Sequence, residues 1–111
     1  MIKAHYPTNR FQHLRTPFYY YDLDVLRSTL SEIKMLDLPE NYMVHYAMKA
    51  NVNPSILEVI KNTGFGADCV SGGEIQAAID AGFPASKIVF AGVGKSDWEI
   101  NLALEHDIFC F

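Results

Sequence analysis

A cycle of short apolar strand, capped helix and glycine stop recurs about every twenty residues along most of this chain, and that rhythm restricts the fold to βαβ units. Asp22 is a good N-cap, and Leu23, Leu26, Leu30 and Ile33 follow at spacings of three and four until Asp37-Leu38-Pro39 ends the run. Tyr42 to Met48 is aromatic and apolar, and short enough for a buried strand. Asn53 then caps a helix with Pro54 in its first turn, which carries Ile56, Leu57, Val59 and Ile60 to a left-handed stop at Gly64. The cycle restarts with a strand over Ala67 to Val70. Ser71-Gly72-Gly73-Glu74 opens the next helix as a capping box, with Ile75, Ala78 and Ile79 inward and Gly82 closing it. Lys87 to Ala91 reads as the third strand. Ser96-Asp97-Trp98-Glu99 is a second capping box, its helix lays Ile100, Ala103 and Leu104 on one side, and Asp107 to Phe111 begins a fourth strand.

Strand, helix and strand joined by short connections give right-handed crossovers and a parallel sheet covered by helices, as a barrel wall or an open doubly wound sheet. The chain reaches Cys110-Phe111 inside the fourth strand with no helix to cover it, so it is expected to be part of something longer. Nine Lys and Arg against thirteen Asp and Glu leave a formal charge of −4, spread without runs, which offers no footprint for phosphate backbones or anionic lipid. The start lacks the apolar core of a secretion signal, and the longest apolar stretch, Ile88 to Val93, is far too short for a bilayer, so a soluble cytoplasmic protein is expected. Cys69 and Cys110 sit in apolar surroundings without metal spacing and are expected to be buried thiols; the four histidines likewise show no ligand spacing.

Two motifs suggest chemistry. In Tyr46-Ala47-Met48-Lys49-Ala50-Asn51 a lysine stands at the carboxyl end of an apolar strand, where parallel α/β folds gather their active sites. Removed from water, such an amine favours its neutral, nucleophilic form and can form a Schiff base. Alternation places His45, Ala47 and Lys49 on one face, and the small Ala47 leaves room there for a flat cofactor. A lysine that simply snorkels from a strand end into solvent is the commoner arrangement in α/β proteins. The second motif, Ala91-Gly92-Val93-Gly94-Lys95-Ser96, resembles the end of a phosphate-binding loop. It fails because Val89 stands where the first glycine of that pattern belongs, so the glycines are read as a tight turn and Ser96 as a cap.

Together, Tyr46 to Asn51, Asp68-Cys69-Val70-Ser71-Gly72-Gly73-Glu74, Ala81-Gly82-Phe83-Pro84 and Ile88 to Ser96 resemble the N-terminal part of the diaminopimelate decarboxylase family. That family lies within the fold-type III, alanine racemase-like group of pyridoxal-phosphate enzymes, and the likeness runs from about Thr16-Pro17 to Phe111. It implies the first part of a (β/α)8 TIM-type barrel, with residues 23–111 as its first βα units. It also implies that residues 1–22 carry a strand, Thr16 to Tyr21, which pairs with a C-terminal β-domain outside this chain. By the same resemblance Lys49 attaches pyridoxal 5'-phosphate, Ala47 and Asp68 line the cofactor, and Glu74 opens the following helix. The implied reaction converts meso-diaminopimelate to lysine and carbon dioxide in a cytoplasmic homodimer with a small amino-acid substrate and no nucleic-acid or membrane partner. Ornithine, arginine and carboxynorspermidine decarboxylases share the lysine motif and are the nearest alternative, followed by a non-catalytic relative acting as a binding protein. Alanine racemases follow their lysine with Tyr-Gly-His-Gly, whereas Asn51 here leads into Val52-Asn53-Pro54-Ser55. The family's phosphate loop, substrate ligands and catalytic cysteine lie further along, so these residues alone are expected to be inactive.

Overall fold

A computed structural model describes residues 5–111, which fall into two compact units divided between residues 36 and 37. The first contains a single helical turn not foreseen from sequence, α1 (Thr8–Phe11), and α2 (Leu23–Lys34). Asp22 caps α2 as read, its Oδ1 accepting the N–H groups of Asp24 at 3.0 Å and Val25 at 3.2 Å, while Oδ2 accepts that of His5. These bonds, Val25 first, hold its carboxyl below the usual carboxylate range. The aromatic run from Phe18 to Tyr21 is in neither helix nor ladder here. Its rings alternate: Phe18 and Tyr20 pack on Phe11 with centroids 5.3 and 5.2 Å away, and Tyr19 stacks on Tyr21. The Thr16–Pro17 peptide is cis.

The second unit carries the βα repeats: β1 (His45–Ala47), α3 (Pro54–Asn62), β2 (Gly66–Cys69), α4 (Gly72–Asp80), β3 (Ile88–Phe90) and α5 (Asp97–Glu105). The caps stand where the sequence put them, with Asn53 accepting from Ser55, and Ser71 from Glu74. Gly64 and Gly82 adopt φ of +94° and +82°, the left-handed stops that side chains resist. The three strands pair in parallel in the order β1-β2-β3. The expected fourth strand is reduced to one parallel bridge, Val89 to Cys110, placed on the far side of β3. This sequential order is that of a barrel wall. In a doubly wound sheet the fourth strand would return to the other side of the first.

Paired residues of a parallel ladder share a face, and burial identifies the two faces. Ala67, Cys69, Ile88 and Phe90 are sealed under the helices with Ile56, Leu57, Ile60, Ile75, Ala78 and Ala103. Burying one such aliphatic side chain stabilises by roughly 1.5–3 kcal/mol, and truncating it to alanine costs about 2–5 kcal/mol once the cavity is counted. The opposite face carries His45 and Gly66 in one row, then Ala47, Asp68 and Val89 in the next, all but the glycine partly open. A Cβ on Gly66 would overlap the His45 ring and the Lys87 carbonyl oxygen, so the imidazole occupies the space that glycine leaves. No helix among the described residues is long and apolar enough to cross a membrane.

Candidate functional site

The helix-free face and the strands' carboxyl ends bring the sequence-derived residues together. Ala47 and Asp68 are register partners on β1 and β2. Lys49 follows two residues later, inside a 3-10 turn, Met48–Ala50, that begins where β1 stops. The simple alternation that would set Lys49 on the face of His45 and Ala47 therefore ends at Ala47. Met48, fully buried, anchors the turn, and Lys49 projects from it exposed to solvent. The residues that set the turn leave the lysine alone. The Tyr46 hydroxyl donates to the Asn51 carbonyl at 3.0 Å, Asn51 Oδ1 accepts the Asn53 N–H at 2.9 Å, and Asn53 Oδ1 accepts the Ser55 N–H at 3.0 Å. Neither the Lys49 amine nor the Asp68 carboxylate has a hydrogen bond or ion pair among the described residues, so both stay free for a ligand.

The other polar groups at these strand ends are already committed. Glu74 accepts the Val70 N–H at 2.7 Å, one residue before the position its capping box predicted, and Ser71 accepts the Glu74 N–H at 3.3 Å. Glu99 reaches across from α5 to accept the Gly72 N–H at 2.8 Å. The N-terminus of α4 is thus occupied by the chain's own side chains rather than open to a phosphate. A Cβ on Gly72 would run into the Trp98 ring, which explains a glycine inside that first turn. Glu99 also accepts the Ser96 N–H at 2.9 Å and hydroxyl at 2.7 Å; the backbone bonds from Ser96 and Gly72 hold its carboxyl below the usual range. Lys95, the decoy of the phosphate-loop motif, donates to the Gly92 carbonyl and lies 5.0 Å from the Phe90 ring centroid. Glu99 keeps the capping-box role read from sequence, whereas its reach to Gly72 and the turn-closing bonds of Tyr46 and Asn51 escaped that reading. Only Asn51 carried a signal, since Asn-x-Asn-Pro is the sequence of a side-chain-closed turn entering a helix.

The cysteines divide. Cys69 is buried on the helix-facing side, and desolvation first, then the charges of Glu74 and Asp68, push its thiol up to about 12. Cys110, expected to be buried, is exposed: it pairs with Val89 and so lies on the partly open face of the sheet.

A free lysine amine at a strand end, a small neighbour and an uncommitted carboxylate suit an aldehyde-bearing cofactor, which needs a primary amine and space beside it. Residues 25–111 match the family described as pyridoxal-dependent decarboxylase, pyridoxal binding domain. The chain belongs to that family. Its cofactor is pyridoxal phosphate, and the residues present fit it. Over 112 residues the chain is 62% identical to a diaminopimelate decarboxylase of Bacteroides thetaiotaomicron, an alignment that takes in 99% of this chain and 29% of that protein. Among solved structures, diaminopimelate decarboxylase from Helicobacter pylori complexed with L-lysine superposes with a TM-score of 0.80 at 43% identity, over 92% of this chain and 26% of that one. A lysine/ornithine decarboxylase from Vibrio vulnificus complexed with putrescine gives 0.67 at 26% identity, over 77% and 23%. This pyridoxal-binding chain therefore spans less than a third of the length of these relatives.

Proposed function

We propose that the full-length protein is a diaminopimelate decarboxylase, releasing carbon dioxide from meso-diaminopimelate to leave lysine, and that Lys49 is the residue to which pyridoxal phosphate attaches. The observation that carries the reading is an uncommitted lysine amine at the carboxyl end of β1 in a chain 62% identical to an enzyme of that name. Pyridoxal phosphate, when bound, supplies an aldehyde that takes up an amine and a ring that draws electrons from the bond to the departing carboxylate. The chain's own residues do the rest of what can be assigned here. Lys49 Nζ would hold the cofactor and, once released from it, would serve as a proton carrier. Ala47 keeps the adjoining face low, and the Asp68 carboxylate beside it supplies negative charge near the cofactor. The segment from Thr16 to Tyr21 pairs with the C-terminal β-domain, and the enzyme works as a cytoplasmic homodimer.

The test is covalent trapping in the full-length protein. After incubation with pyridoxal phosphate and reduction with borohydride, peptide mapping should find the stable adduct on the peptide containing Lys49, and Lys49→Ala should carry none. Carbon dioxide should come from diaminopimelate in preference to ornithine, arginine or carboxynorspermidine. An adduct on Lys95, or release from ornithine with diaminopimelate inert, would overturn the assignment.

A further inference from the structure

We propose that Tyr46 is a positioning residue for Lys49: its hydroxyl, bound to the Asn51 carbonyl, closes a loop with the lysine inside it and so fixes the point from which the amine reaches the cofactor. The inference rests on Lys49 being the attachment residue. The geometry is specific to this turn. Tyr46 belongs to β1, Asn51 lies beyond the 3-10 turn, and the 3.0 Å bond between them spans Ala47 to Ala50. Two further side-chain bonds of the connection, from the Asn53 N–H to Asn51 Oδ1 and from the Ser55 N–H to Asn53 Oδ1, both run forward into α3. Tyr46 alone among these three reaches back across the lysine. Met48 fixes the turn from below by burial, without a directional bond.

The consequence concerns reach rather than folding. A lysine side chain has four rotatable bonds, and covalent attachment selects the few arrangements that bring Nζ to the aldehyde carbon. A backbone origin held by β1, Met48 and Tyr46 narrows the search to the side chain itself. Without the hydroxyl, the Lys49–Ala50 peptide gains freedom while the strand, the buried methionine and the α3 cap remain.

The experiment uses the full-length protein with Tyr46→Phe, which deletes one oxygen and keeps the ring. Tyr42→Phe, at an exposed tyrosine just before β1, is the control. Attachment is followed by quenching timed mixtures with pyridoxal phosphate in borohydride and mapping the adduct. In Tyr46→Phe the adduct should still fall on Lys49, with its rate of formation lower by roughly threefold to tenfold, the range one net hydrogen bond supplies. KM for diaminopimelate should be unchanged, the cofactor-free melting temperature should stay within a few degrees of wild type, and Tyr42→Phe should match wild type throughout. Attachment at the wild-type rate in Tyr46→Phe, with wild-type adduct on Lys49, overturns the positioning role and leaves the functional assignment standing. A fall in melting temperature that accounts for the slower attachment overturns it in favour of a structural role. A wild-type adduct away from Lys49 overturns both.

Discussion

The connections that follow β1 and β3 each carry a lysine, just past the strand in the first and just before the helix in the second, and they use it in opposite ways. Between Ala47 and Pro54 the backbone is held by the Tyr46 hydroxyl and the amides of Asn51 and Asn53, and Lys49 holds nothing. Between Phe90 and Asp97 the lysine is itself a strut: Lys95 is bonded to Gly92 and laid against Phe90. A lysine in a strand-to-helix connection is therefore not reactive by position. What frees one for chemistry is a turn whose backbone is secured by other groups.

Exchanging the roles of the two lysines has the largest expected effect. In the full-length protein Lys49→Ala should lower decarboxylation by orders of magnitude. Lys95→Ala should leave it within about threefold, because it loses one exposed hydrogen bond and one contact with the ring of the buried Phe90, together about 1 kcal/mol of stability, and touches nothing at Lys49. Steady-state rates of both variants, with borohydride trapping beside them, decide the matter. Comparable losses in the two would erase the distinction between a free lysine and a committed one.

The caps come next. Asn53→Ala should cost about 1 kcal/mol in a urea titration, because the Ser55 N–H loses its acceptor. Ser96→Ala should cost less, about 0.5 kcal/mol, because the backbone N–H of residue 96 still reaches Glu99. The comparison sharpens if Asn53→Ala also slows attachment of pyridoxal phosphate while Ser96→Ala leaves it unchanged, since only the first cap lies in the connection that presents Lys49. Equal slowing by both would mean that attachment follows overall stability.

Much of this was legible in the sequence because it is written in local spacing. Asp22, Asn53, Ser71 and Ser96 start helices where they were read, Gly64 and Gly82 stop them, and the parallel, sequential sheet follows from the βα rhythm. The Lys49 turn was harder to see. A period of two continues through Met48 on paper, and nothing local announces that the strand stops at Ala47 and tightens into a 3-10 turn over a buried methionine. Two carboxylate partners were also invisible, one distant and one local: Glu99 meets Gly72 across 27 residues of sequence, and Glu74 passes over Ser71 to take the Val70 N–H. The exposure of Cys110 was hidden because Ile-Phe-Cys-Phe reads as core throughout, whereas the pairing with Val89 turns the thiol to the partly open face while Ile108 stays buried.

The smallest expected effect separates the two connections by acid. The side chains securing the β1–α3 connection are a phenol and two amides, none of which changes charge between neutral pH and pH 3. The β3–α5 connection depends on a carboxylate. Glu99 accepts from Ser96 and Gly72, and these bonds favour its charged form and keep its folded pKa below the ordinary value of 4.5. A depressed folded pKa contributes stability that is present above the unfolded pKa and disappears as pH falls through the folded one. Glu99→Gln should therefore be less stable than wild type at pH 7, and the gap should shrink as pH drops below the carboxylate range. The difference between wild type and Asn53→Ala should stay constant over the same interval. Urea midpoints for the three proteins at pH 7, 5, 4 and 3 test this directly. Parallel curves for wild type and Glu99→Gln down to pH 3 would show that the Gly72 and Ser96 contacts do not depend on charge, and the acid sensitivity assigned to the β3–α5 connection would be wrong.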